Sequence, residues 1–147
     1  RLGLYDAILI KDNHLAALAA AGMTPADAIR RARIFLDQAF PPERAAAMVI
    51  EIEIDGITQL EPVLAAGPDV VLLDNMQPDE LAGCVALRNA KGPGVILEAS
   101  GGIRPETVAA IARTGVDRVS TGWPTHNAPW LDIALDWLEP PGGRDRG

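Results

Sequence analysis

Four polar side chains stand where short apolar runs give out. Lys11 closes Ala7–Lys11, Glu53 lies near the end of Met48–Ile54, Asp74 near the end of Val70–Asn75, and Ser100 ends Val95–Ser100. A fifth run covers Arg118–Gly122. Short Val-, Ile- and Leu-rich runs bounded by polar residues or Gly read as strands. Alternate strand residues face the same side, so Glu51 shares a face with Glu53, Leu72 with Asp74, and Glu98 with Ser100. If the strands are parallel neighbours, Lys11, Glu53, Asp74 and Ser100 meet at one mouth, at the strand C-termini where α/β barrels do their chemistry. Clustered carboxylates without partners are costly, so Glu53 and Asp74 point to a metal ion or a hydroxyl-rich ligand. Glu51 and Glu98 read equally well as polar layers paired with basic residues inside the fold.

A second constellation is built from glycine. Ser100-Gly101-Gly102 follows the fourth run and precedes a helix starting at Pro105, and Thr121-Gly122 ends the fifth. Glycines admit a ligand to the backbone, and free N–H groups near a helix N-terminus favour an anion. Two such turns on consecutive strand ends point to phosphate, which barrels bind on their last loops. His14 and His126 each follow a strand and read first as structural hydrogen-bonding groups. No spacing suggests a zinc site, and no Ser–His–acid arrangement or other nucleophile stands out.

Positioning these residues requires alternating strands and helices. Amphipathic stretches occupy Thr24–Phe40, Thr58–Ala66, Pro78–Asn89, Pro105–Thr114 and Ala128–Leu138. Thr24-Pro25 is a cap followed by proline at the first helical position, and Gly67 and Gly115 are helix stops. Apolar strands between helices predict an α/β fold with a helix-covered parallel sheet. Five units are too few for a closed eight-unit barrel. The expected architecture is the C-terminal part of an incomplete TIM-like barrel over residues 1–138, with a disordered tail at 139–147. The chain has 147 residues and a net charge of −7, which disfavours nucleic acid and anionic membranes as partners. No run approaches the ~20 apolar residues of a membrane span. The single Cys84 reads as a small core residue. The absence of an initiator Met suggests a fragment.

Taken together, these motifs resemble a known family. Arg1-Leu2-Gly3-Leu4-Tyr5-Asp6-Ala7 followed by Ile10-Lys11-Asp12-Asn13-His14 looks like quinolinate phosphoribosyltransferase, the carboxylating nicotinate-nucleotide pyrophosphorylase. Glu51-Ile52-Glu53, Leu73-Asp74-Asn75-Met76, Glu98-Ala99-Ser100-Gly101-Gly102-Ile103, Thr125-His126 and Leu131-Asp132-Ile133 continue the likeness in the same order as far as Asp136. The resemblance implies an open α/β barrel that binds quinolinate and phosphoribosyl pyrophosphate. It implies a cytoplasmic enzyme of NAD biosynthesis that works as a homodimer or higher oligomer, with basic residues borrowed from a second subunit.

The same resemblance assigns roles. Arg1 and Lys11 would hold the carboxylates of quinolinate, with Lys11, Glu53 and Asp74 carrying catalysis. Glu53 and Asp74 would bind ribose hydroxyls and Mg2+. The backbone at Ser100, Gly101, Gly102, Thr121, Gly122 and Trp123 would cradle the ribose phosphate, supported by His126. Trp123-Pro124 and Asn127 depart from the small or aliphatic residues and Ser usual in the family. The family's N-terminal α/β domain and its basic motifs before Arg1 are missing, so the fragment alone is expected to be inactive. Two alternatives stay open: a pyrophosphorylase-like paralogue of molybdenum transport operons, and a truncated chain that only binds phosphate.

Overall fold

Where Ile, Val and Leu alternate with charge, the chain forms a sheet with one apolar and one polar face. A computed structural model describes residues 5–135, so Arg1, the last part of the expected final helix (136–138) and the tail lie outside the described residues. The strands are β1 (Ala7–Ile10), β2 (Val49–Ile54), β3 (Val70–Asp74), β4 (Ile96–Ser100) and β5 (Arg118–Val119). They form one parallel sheet in the order β1-β2-β3-β4-β5. The sheet does not close. The helices are α1 (Asp12–Ala19), α2 (Pro25–Ala39), α3 (Pro42–Ala47), α4 (Leu60–Ala65), α5 (Pro78–Lys91), α6 (Pro105–Ala112) and α7 (Trp123–His126), with a 3-10 turn at Ile57–Gln59 before α4.

The apolar face makes the core. Ile50, Ile52 and Ile54 of β2, Val71 and Leu73 of β3, and Leu97 and Ala99 of β4 are buried with Ile29, Leu36, Leu60, Val63 and Leu81 from the helices. The alternate residues Glu51, Glu53, Glu98 and Ser100 are only half-buried. Strands apolar on both faces were expected, and only β3 comes close: Val70 to Leu73 are all buried, and polarity begins at Asp74. Cys84 is fully buried in the core, and burial, with Glu80 adding to it, pushes its thiol up to about 11. That makes it an inert core residue.

Local chemistry explains the boundaries. Thr24 caps α2, its hydroxyl accepting from the Asp27 amide at 3.2 Å while the Asp27 carboxylate accepts from the Thr24 amide at 2.8 Å. The Thr24 hydroxyl and amide, with Arg30, hold the Asp27 carboxyl far below the usual carboxylate range. β1 stops one residue short of Lys11 because Lys11 becomes the N-cap of α1, and its amide donates to His14 Nδ1 at 2.9 Å. Sequence reading missed α1, whose Lys-Asp-Asn-His start has no Ser, Thr or Pro signal, and it missed the short α3 and α7. The expected helix at Ala128–Leu138 is absent over its described part, Ala128–Leu135. Leu131, Ile133 and Leu135 recur every second residue, a strand-like period that competes with the helical one. Those three side chains and Trp130 are exposed, so no packing compensates.

One device recurs at the strand N-termini. Asp69 exchanges two bonds with Ile50: its amide donates to the Ile50 carbonyl at 3.0 Å, and its carboxylate accepts from the Ile50 amide at 2.7 Å while ion-pairing with Arg33 at 3.1 Å. Asp117 does the same with Leu97, at 3.0 and 2.8 Å, and ion-pairs with Arg88 at 2.6 Å. In each case the arginine comes from a helix preceding the strand that donates. Arg88 is buried and also donates to the Val95 carbonyl at 2.7 Å. Contacts at this end of a barrel, away from the mouth, serve stability.

Burial pulls the Asp117 carboxyl upward, but the Leu97 amide, Arg88 and Arg118 together lower it. A depressed folded pKa gives stability that is present above the unfolded value of about 3.9 and lost as pH falls through the folded value. Asp117→Ala should lower unfolding free energy by ~2 kcal/mol at neutral pH. That figure is discounted because the Asp117 side chain is 39% exposed. Urea unfolding of variant and parent should show the gap narrowing below pH ~4. An equal gap at both pH values would assign the loss to packing.

Candidate active site

Parallel register carries each strand-end residue to a defined neighbour. Glu53 pairs with Leu72, Leu72 with Glu98, and Glu98 with Arg118, one row across the polar face. Asp74 pairs with Ser100 one step further toward the C-terminal ends. The polar residues therefore sit in two tiers on one face, and the upper tier opens at the mouth.

At one side of the mouth lies an acidic hollow. A cavity of about 230 Å³ is lined by Asp12, Glu53, Asp55, Gln59 and Asp74 among others. Lys11 Nζ lies 3.3 Å from Glu53 Oε2, with the carboxylate mostly buried and the ammonium half exposed. Lys11 and Glu53 therefore meet as an ion pair. Asp74 accepts a hydrogen bond from Asn75 Nδ2 at 2.8 Å. In the lower tier, Glu98 accepts a hydrogen bond from the Ser120 hydroxyl and lies 3.9 Å from Arg118 Nη1. Among the described residues, no group of three or more His, Cys, Asp or Glu converges as a ready-made metal cage.

At the other side the two glycine turns face one cavity of about 350 Å³, lined by Ser100, Gly101, Gly102, Thr121, Gly122, Trp123 and His126 with Ile103, Arg104, Ser120 and Asn127. Gly101 and Gly102 take φ of +91° and +61°, a region that favours glycine. The amides of Gly101, Gly102 and Gly122 have no hydrogen-bond acceptor among the described residues. Thr121 Oγ1 donates to the Ile103 carbonyl at 2.6 Å, clamping the β5 loop to the β4 loop, and accepts from the Trp123 amide at 3.1 Å. His126 lies over Gly122, where an added Cβ would be 3.0 Å from His126 Cδ2. Unpaired amides around a concave glycine loop are the chemistry of an anion site.

Of the described residues singled out from the sequence, Glu53 and Asp74 line the first hollow, and Ser100, Gly101, Gly102, Thr121, Gly122, Trp123 and His126 line the second. Lys11 lines neither and reaches the first only through its ion pair with Glu53, while Glu51, Glu98 and His14 lie outside both. Asp74 and Ser100, partners in register, join the two hollows. Arg1 lies outside the described residues. Sequence reading missed Asp12, Asp55, Gln59, Arg104 and Asn75. Asp12 stands one residue beyond Lys11, and Asp55 two beyond Glu53. Asn75 carried a usable signal, since Asn directly after a strand tolerates a left-handed turn.

Known proteins resemble this chain in sequence and in fold. Residues 1–136 match the family described as "Quinolinate phosphoribosyl transferase, C-terminal domain". The chain is 41% identical over 136 residues to the nicotinate-nucleotide pyrophosphorylase [carboxylating] of Mycobacterium leprae, covering 92% of this chain and 43% of that protein. It is 40% identical over 137 residues to a probable nicotinate-nucleotide pyrophosphorylase [carboxylating] of Bacillus subtilis, covering 92% and 42%. The solved nicotinate-nucleotide pyrophosphorylase of Francisella tularensis superposes with a TM-score of 0.65 at 35% identity, over 84% of this chain and 37% of that one. The chain thus spans less than half the length of these relatives. Its open sheet is part of a TIM-like α/β barrel, and the chain belongs to the quinolinate phosphoribosyl transferase C-terminal domain family.

Proposed function

We propose that this chain supplies the mouth of a quinolinate phosphoribosyltransferase. The complete polypeptide, of the relatives' length, would transfer the phosphoribosyl group of phosphoribosyl pyrophosphate to quinolinate and release carbon dioxide and pyrophosphate, leaving nicotinate mononucleotide. The observation that carries this reading is the register pair Asp74–Ser100, which sets an acidic hollow beside a glycine cradle. A sugar phosphate needs both: carboxylates for its hydroxyls and unpaired amides for its phosphate.

The pyridine nitrogen attacks the anomeric carbon as the bond to pyrophosphate breaks. Positive charge develops on the sugar ring, and Glu53 and Asp74 stabilise it from fixed positions. Lys11 draws in the dicarboxylate, exchanging part of its pairing with Glu53 for a substrate carboxylate. The cradle fixes the phosphate and so orients the anomeric carbon for attack. Magnesium suits this donor set, because it takes one or two carboxylates plus substrate phosphates rather than an all-protein cage. Glu53 and Asp74 would hold it, and its charge would ease departure of pyrophosphate.

The reading is tested by calorimetric titration of the complete polypeptide with each substrate. Lys11→Ala should weaken quinolinate by roughly 2–5 kcal/mol, the cost of leaving a buried charge unpaired, and leave phosphoribosyl pyrophosphate nearly unchanged. Unaltered quinolinate affinity would remove Lys11 from the dicarboxylate site. Failure of the wild-type protein to bind quinolinate would favour the paralogue with a different substrate.

A further inference from the structure

Asn75 is the point where the two hollows are tied together. It follows Asp74 at the end of β3 and takes a φ of +55°, and among the described residues it alone combines a side chain with a left-handed backbone. Its Nδ2 donates to Asp74 Oδ2 at 2.8 Å. Its amide donates to the Ser100 carbonyl at 2.9 Å, prolonging the β3–β4 pairing by one bond. Its carboxamide covers the α-carbon of Gly101, where an added Cβ would strike the Asn75 side chain and lie 2.9 Å from its backbone nitrogen. One residue thus touches the carboxylate of the acidic hollow and the turn of the phosphate cradle.

The geometry points to Asn75 as a positioning residue for the transfer reaction, holding the Asp74 carboxylate at a fixed angle and setting the Gly101 turn against it. The inference rests on the proposed function of the site. A free aspartate at a strand end has a broad choice of side-chain rotation. A donor from the next residue restricts that choice, while the left-handed turn aims the carboxamide back at its neighbour. The distance from charge-stabilising carboxylate to phosphate amides is then set by the protein rather than by the ligand, the kind of preorganisation that orientation catalysis requires.

Glycine accepts the left-handed backbone more readily than asparagine, so Asn75→Gly separates the side chain from the turn. In the complete polypeptide, Asn75→Gly should lower kcat about ten-fold or more, the scale of a lost hydrogen bond to a charged group. KM for quinolinate should move less than about two-fold, because Lys11 on the far side of β2 is not touched. Asn75→Asp tolerates the same turn but replaces the amide donor by a second carboxylate facing Asp74, and should show at least the same kcat loss with a lowered melting temperature. Full turnover in both variants would overturn the inference, as would a fall in melting temperature with kcat intact. Asp74→Asn, assayed alongside, separates the two levels. An impaired Asp74→Asn with a normal Asn75→Gly rejects only the positioning role, and a normal Asp74→Asn rejects both.

Discussion

Asp74→Asn and Glu53→Gln are each expected to lower turnover by ~10²-fold or more, the range found when a preorganised electrostatic contact is removed from a transition state. Both changes keep size and remove charge. The two should differ in their side effects. Asp74 shares its hollow with Asp12, Asp55 and Glu53. Removing one negative charge there should leave thermal stability level or slightly raised, as for other sites strained for function. Glu53 is already paired with a half-exposed Lys11 at 3.3 Å. Losing that pair should cost no more than ~1 kcal/mol. Steady-state kinetics with thermal unfolding decides the matter: wild-type kcat in both variants would place these carboxylates in a structural polar layer with Glu98.

Gly101→Val should produce the other large effect, a loss of phosphoribosyl pyrophosphate affinity by ~10²-fold, the scale on which small misplacements act. Two causes coincide at this position. The φ of +91° is strained for any side chain. That alone costs on the order of 1–3 kcal/mol. In addition, the new side chain would strike Asn75, whose own backbone cannot retreat because its amide is bonded to the Ser100 carbonyl. Gly102 is the internal control. It also has a positive φ, but an added Cβ there meets nothing within 4 Å. Gly102→Ala should therefore lower stability with a much smaller effect on binding. Titration with phosphoribosyl pyrophosphate, with circular dichroism to confirm folding, compares them. Equal losses at Gly101 and Gly102 would mean that backbone strain, not the cradle's shape, governs the phosphate site.

By itself, the sequence determined the alternation of elements and the two groups of chemical residues. Ile-Glu-Ile-Glu-Ile in β2 can satisfy burial only with isoleucines on the helix side, and that parity placed Glu53 before any coordinates did. Paired glycines after β4 marked a place where a ligand can approach the backbone, and the structure adds that both take a left-handed φ. Local patterns of this kind depend on neighbours a few positions away, so they survive in a single chain. The final segment shows the limit: its amphipathic stripe predicted a helix, but Ala128–Leu135 also carries a two-residue period, and among the described residues Trp130, Leu131, Ile133 and Leu135 are exposed rather than packed.

Tertiary structure alone decided the partners. Lys11 and Glu53 lie 42 positions apart in the chain, and only the β1–β2 register turns them into an ion pair. Asp69 and Asp117 read as ordinary loop residues until strand pairing gives each an amide and an arginine. Asn75 meets the glycine turn only when β4 brings Gly101 beneath it. These contacts depend on the lateral registration of strands, which arises from the burial of the whole apolar face at once, and no spacing along the chain encodes it.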